Sequence, residues 1–179
     1  MTEPRSVGEV LRWVLSDPWG SLGSRWNYKS AVLSALVRSG VFFGANLASG
    51  PEAALSAMGV EFTFRFATAG FYGALTQAFR AVEPPRAGTV AAMVVLPLVA
   101  HSLELTVHWL HGTPQLGASI AASVILTAIS TGFNLFAMRR GVLVVGDGCR
   151  SLASDLVAIP GLFVVFVGSL ARACLRPAP

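Results

Sequence analysis

Apolar positions along the chain gather into long runs separated by short polar or glycine- and proline-rich breaks, a pattern that belongs to membrane-crossing helices rather than to alternating strands. The first run extends from about Ser30 to Ala48 and ends at Ser49-Gly50-Pro51. A second, from about Ala53 to Val82, is long enough to cross a bilayer with a tilt, and Glu83-Pro84-Pro85-Arg86 stops it because proline cannot continue a helix. The third runs from about Gly88 to Leu110 and closes at His111-Gly112-Thr113-Pro114; the fourth, Leu116 to Met138, carries no charge and has Arg139-Arg140 directly behind it. After the turn at Gly146-Asp147-Gly148, the stretch from Leu152 to Ala171 is apolar but contains Pro160-Gly161. It reads either as a fifth span or as a re-entrant hairpin broken at that dipeptide, and the position of Arg172 and Arg176 favours re-entry or an interfacial helix.

Ahead of these runs, Val7, Val10, Leu11, Val14 and Leu15 recur at helical spacing while Arg5, Glu9 and Arg12 occupy the other face. Asp17-Pro18 ends that helix, and Trp13, Trp19, Trp26 and Tyr28 cluster before the first apolar run, where amphipathic rings settle at headgroup level. The pattern predicts a helix lying on the membrane, with a loosely structured tail as the alternative. The expected fold is therefore all-α: a polytopic membrane bundle of four transmembrane helices, an N-terminal interfacial helix, and a C-terminal re-entrant or fifth transmembrane helix. It divides into an interfacial segment at 1–29, a membrane bundle at 30–171 and a short polar tail at 172–179.

Composition sharpens this reading. Of 179 residues, 54% are hydrophobic and 12% charged, against roughly 25% charged in an ordinary soluble domain. Seven of the 22 charges lie in the first 29 positions, so the remainder of the chain is depleted further. A soluble core, an acidic disordered tail and a nucleic-acid-binding module are all disfavoured. The net charge of +4 comes from cations at the ends of apolar runs, which act as topology signals. Nine of them (Arg5, Arg12, Arg25, Lys29, Arg80, Arg86, Arg139, Arg140 and Arg150) flank one side, and none flanks the turns at Gly50 and Gly112. The positive-inside rule then places the N-terminus in the cytoplasm, and the arginine- and alanine-rich usage fits a bacterial inner membrane. Charges at 5, 9, 12 and 17 interrupt any signal-peptide core. Cys149 and Cys174 lack metal or redox spacing and read as structural thiols.

Ionisable groups inside spans cost roughly 2.5–3.5 kcal/mol each on insertion scales, so they turn toward protein or water and become the candidates for function. Counting about 1.5 Å per residue from the outer turns puts Arg38, Arg65 and His101 about 16–18 Å deep, and Glu61 and Glu104 about 12 Å deep. The charges of Arg38, Glu61, Arg65 and Glu104 cancel, as a desolvated cluster requires. Helical phase puts Glu61, Arg65, Thr68, Tyr72 and Thr76 on one face of the second span, and His101, Glu104, His108 and His111 on one face of the third. This cluster serves either as an ion-paired latch between helices or as a proton or anion pathway, with Thr68, Tyr72 and His108 as secondary lining. A metal at His108 and His111 is a weaker alternative: the chain has three histidines and no HExxH, and paired histidines at a wet helix end are ordinarily solvated.

Packing signals accompany the polar ones. Ser119, Ser123, Thr127 and Thr131 recur every fourth residue, and Gly40 and Gly44 form a GxxxG; both patterns allow close helix approach, within the chain or between copies. Pro97 predicts a kink in the third span. The function that these features imply is an interaction or scaffold subunit of a membrane complex, locked by intramembrane ion pairs, with no catalytic motif and no cofactor. The alternative is a small transporter or a lipid- or anion-binding protein. The expected partners are membrane lipids and either further copies of the chain or a larger membrane complex, with no nucleic acid.

Overall fold

The computed structural model describes residues 6–99, 102, 106 and 116–175, and every element among them is helical. Helix α1 spans Val7–Ser16. Ser6 caps it by accepting from the Glu9 backbone N–H at 3.2 Å, the spacing of a capping box. Its Val10 is fully buried, while Leu11, Leu15 and the following Trp19 stay exposed. Asp17 ends the helix and accepts from the Gly20 N–H at 2.9 Å, starting a wide π-helical turn over Trp19–Gly23.

Helices α2 (Tyr28–Asn46) and α3 (Pro51–Phe79) form a hairpin joined by the 3-10 turn Leu47–Ser49 and by Gly50, whose φ of 103° suits glycine alone. Helix α4 (Pro85–Val90) passes into a π-helical turn at Ala91–Val95 and then into helix again at 96–99. The wide turn lies just before Pro97, whose ring would clash with the carbonyl four residues earlier in a regular helix. Helix α5 covers Leu116–Met138, a loop occupies 139–151, and α6 covers Leu152–Leu175.

Of the two readings left open for the last apolar run, the hairpin at Pro160-Gly161 is not what forms, because helix α6 runs through that dipeptide unbroken. Proline removes one hydrogen bond, to the Leu156 carbonyl. Reversing the chain there would strand several more backbone groups in an apolar setting, so continuing the helix leaves fewer unsatisfied. Two helices are long and apolar enough to cross a membrane, Tyr28–Ser49 and Leu152–Ala173. Only 17% and 6% of their most apolar windows are buried, whereas the core helix of a soluble protein is covered by its neighbours.

The buried core sits at one end, called here the base, where α2 and α6 begin and α3 and α5 finish. One cluster joins Phe133, Ala137 and Met138 of α5 to Val142, Leu143 and Val144 of the loop and Phe166 of α6. A second joins Val10 of α1 to Phe79, Val82, Ala91, Ala92 and Leu135. Close approach of α3 to α2 and to the residues just before it depends on Gly70 and Gly73: a Cβ would run into the Trp26 ring at the first and lie 2.6 Å from Ser30 Cβ at the second. Gly40 and Gly44 have open space instead, so the GxxxG of the first span packs nothing among the described residues.

Replacing Pro160 by Ala restores the missing helical hydrogen bond. The continuous helix predicts a thermal midpoint in detergent that is unchanged or higher, whereas a turn at this point predicts a lower one.

Candidate functional site

Two polar clusters are built at different levels. Antiparallel pairing of α2 with α3 brings Arg38 to Glu61, which also lies one turn before Arg65. Arg65 Nε donates to Glu61 Oε1 at 2.7 Å, and Arg38 Nε lies 3.3 Å from the same oxygen. Glu61 is 8% exposed. The acid-first (i, i+4) order and the cation from the facing helix place the carboxylate between two guanidinium groups. Arg65 also lies over the Phe64 ring, 5.4 Å from its centroid.

The other predicted site residues divide differently. Thr68 is exposed, and its hydroxyl donates back to the Phe64 carbonyl at 2.9 Å, so it does not join the ion pairs. Tyr72 faces α5, where its hydroxyl accepts from Thr131 Oγ1 at 3.4 Å. Thr131 is buried and Thr127 half-buried; the side chains of Ser119 and Ser123 lie outside the described residues. So do His101, Glu104, His108 and His111. Among the described residues there is no group of three or more His, Cys, Asp or Glu that could hold a metal.

The base holds a more deeply buried cluster. Lys29 is 1% exposed and Asp155 fully buried, and Lys29 Nζ donates to Asp155 Oδ2 at 2.8 Å and to the Arg150 carbonyl. The same carboxylate oxygen accepts from the Leu143 N–H at 3.0 Å, and Arg150 Nε lies 3.3 Å from Oδ1. One acid thus meets two cations and a backbone amide, the surroundings that a buried carboxylate needs. Beside it, Asn27 Nδ2 donates to Gln77 Oε1 and to the Leu143 carbonyl, each at 2.9 Å. Gln77 in turn donates to the Val145 carbonyl at 2.8 Å and accepts from its N–H at 3.0 Å.

These contacts draw the loop 139–151 into the base. Leu143 takes a left-handed backbone with φ 61°, which costs a non-glycine residue of order 1–3 kcal/mol. It is held there by the bond from its N–H to Asp155, the bond from Asn27 to its carbonyl, and a fully buried side chain.

Sequence reading missed this cluster because Lys29 and Arg150 count equally well as flanking topology cations. The signal was present in Asp155, the one charge inside the last apolar run. An isolated carboxylate in such a run needs a cation, and Lys29 is the chain's single lysine. In both clusters the carboxylate is engaged by cations from more than one element. Comparison with family models, with curated proteins and with solved structures finds no match.

Asp155→Leu leaves Lys29 buried without its counter-ion and is expected to destabilise the protein by about 3–5 kcal/mol. The double variant Lys29→Met/Asp155→Leu is expected to recover much of that loss, read as a coupling energy in denaturant unfolding in detergent. Equal and additive losses from the two single variants are incompatible with the pair.

Proposed function

We propose that the chain is a small multi-pass integral membrane protein, an interaction or scaffold subunit of a membrane complex, whose internal ion pairs lock its helices. The observation that carries this reading is the bareness of α6. Its Asp155 and Phe166 are buried, yet Val157, Val164 and Leu175 are each more than 70% exposed and Phe163, Val165, Val167 and Leu170 nearly half. A face of this size on a helix long enough to span needs lipid or another helix over it.

The same holds for α2 and α3, which expose Leu36, Val37, Val41, Leu55, Val60 and Phe64. Charge gives the orientation. Arg80, Arg86, Arg139, Arg140 and Arg150 gather at the base, while the described turn at Gly50 carries only Glu52 beside it. The positive-inside rule puts the base in the cytoplasm, in keeping with a bacterial inner membrane. Glu61 between Arg38 and Arg65 then acts as a latch between α2 and α3 inside the bilayer.

Native mass spectrometry of the protein gently released from its own membrane tests the assignment. A heteromeric mass, or a defined homomer, is the expected result; a monomer that retains a stoichiometric small solute overturns it in favour of transport or anion binding. Glu61→Gln separates the roles of the ion pairs. A latch predicts a loss of about 1–3 kcal/mol in folding stability, whereas a solute site predicts normal folding with lost solute.

A further inference from the structure

The base carries three arginines that the latches do not use. Arg86 follows the turn between α3 and α4, and Arg139 and Arg140 follow α5. All three are exposed, and among the described residues none has a carboxylate within 4 Å. Their positions are set by the fold. Arg139 Nη2 donates to the Pro85 carbonyl at 2.9 Å, which ties the end of α5 to the residue before Arg86. Arg140 lies over the Phe136 ring at 3.5 Å from its centroid and donates to the Phe136 carbonyl at 3.3 Å. Partial burial of the guanidinium lowers the Arg139 pKa from its ordinary value.

Helix α1 reaches the same end. Its Val10 packs with Phe79, Val82, Ala91 and Leu135, and Leu135 lies one helical turn before Arg139. On its open side α1 shows Leu11 and Leu15, with Trp19 just beyond. Arg25 lies over the Trp13 ring at 5.1 Å, adding a cation beside that helix. An apolar ledge and a group of arginines with no carboxylate partner among the described residues therefore occupy one end of the bundle. Guanidinium donors fit phosphate oxygens in a bidentate fork, and an apolar ledge suits acyl chains.

The geometry points to an anionic phospholipid site at the base, in which Arg86, Arg139 and Arg140 hold the phosphate headgroup and the exposed face of α1 lies along the acyl chains. It rests on the membrane reading above and gives that reading a lipid partner of stated chemistry. A free phosphate offers the same anion without the chains, and zwitterionic lipid offers the chains without net charge. These are the comparisons that matter.

The full chain is reconstituted in nanodiscs of phosphatidylcholine alone or with phosphatidylglycerol, and co-purified lipid is counted by native mass spectrometry after release. Retention of phosphatidylglycerol over phosphatidylcholine is expected. Arg86→Gln/Arg140→Gln, which spares the Arg139 to Pro85 bond, should weaken that preference roughly 25-fold, at about a factor of five for each cation near an anionic surface. Leu11→Ser/Leu15→Ser should reduce retention of both lipids. Arg172→Gln, on the distant end of α6, should change nothing.

Equal retention of the two lipids overturns the site while leaving the membrane reading intact. Inorganic phosphate that displaces phosphatidylglycerol at millimolar concentration overturns the lipid assignment in favour of a soluble anion. A chain that fails to enter nanodiscs of either composition overturns the membrane reading itself. Circular dichroism of each variant separates lost binding from lost fold.

Discussion

The buried pair of Lys29 and Asp155 is the contact on which the base depends. It joins the first turn of α2 to the first turn of α6, and through the Leu143 N–H and the Arg150 carbonyl it also holds the loop between α5 and α6 at two points. Removing two charges from water costs several kcal/mol per ion, and a bare ion pair rarely recovers that. Here the carboxylate gains a backbone donor and a second cation, so its oxygens are not left to a single partner. The same contacts keep Leu143 in a backbone conformation that it would not choose alone.

Around that tie, Asn27 and Gln77 act as surrogate backbone. Gln77 pairs with both the N–H and the carbonyl of Val145, as a neighbouring strand would, and Asn27 closes the carbonyl of Leu143 while its own oxygen caps α2 at the Ser30 N–H. A loop with Val142, Leu143 and Val144 buried cannot send its peptide groups to water, so side chains from α2 and α3 have to meet them. The polar network and the apolar clusters are thus one construction. Burial of the three loop side chains is possible only because the amides have partners.

Higher in the bundle the balance changes. Glu61 is held by Arg38 and Arg65, and beyond it the described helices turn large apolar side chains outward. Under the membrane reading proposed above, lipid would supply no hydrogen bonds and no hydrophobic drive between helices, which would leave internal ion pairs and close glycine contacts to fix the arrangement. Gly70 and Gly73 do this against Trp26 and Ser30. The GxxxG at Gly40 and Gly44 faces open space, because α2 buries Lys29, Ser30, Ala31, Ala35 and Ser39 instead.

Hydropathy and charge, both one-dimensional properties, were enough to locate α2, α3 and α5 and to mark Glu61 and Arg65 as a pair, since an (i, i+4) spacing fixes proximity within any helix. They also singled out Arg38 as a charge inside an apolar run. They left Pro160-Gly161 open between a break and a span, because local propensity counts a proline as a break while an apolar setting penalises the break more. They could not rank Gly40 and Gly44 against Gly70 and Gly73, since which face of a helix meets its neighbour is not written in spacing alone. Nor could they join Lys29 to Asp155 across 126 positions. That pairing exists only once the antiparallel helices and the folded-in loop bring their ends together, because the energy of an ion pair depends on distance in space and not on separation along the chain.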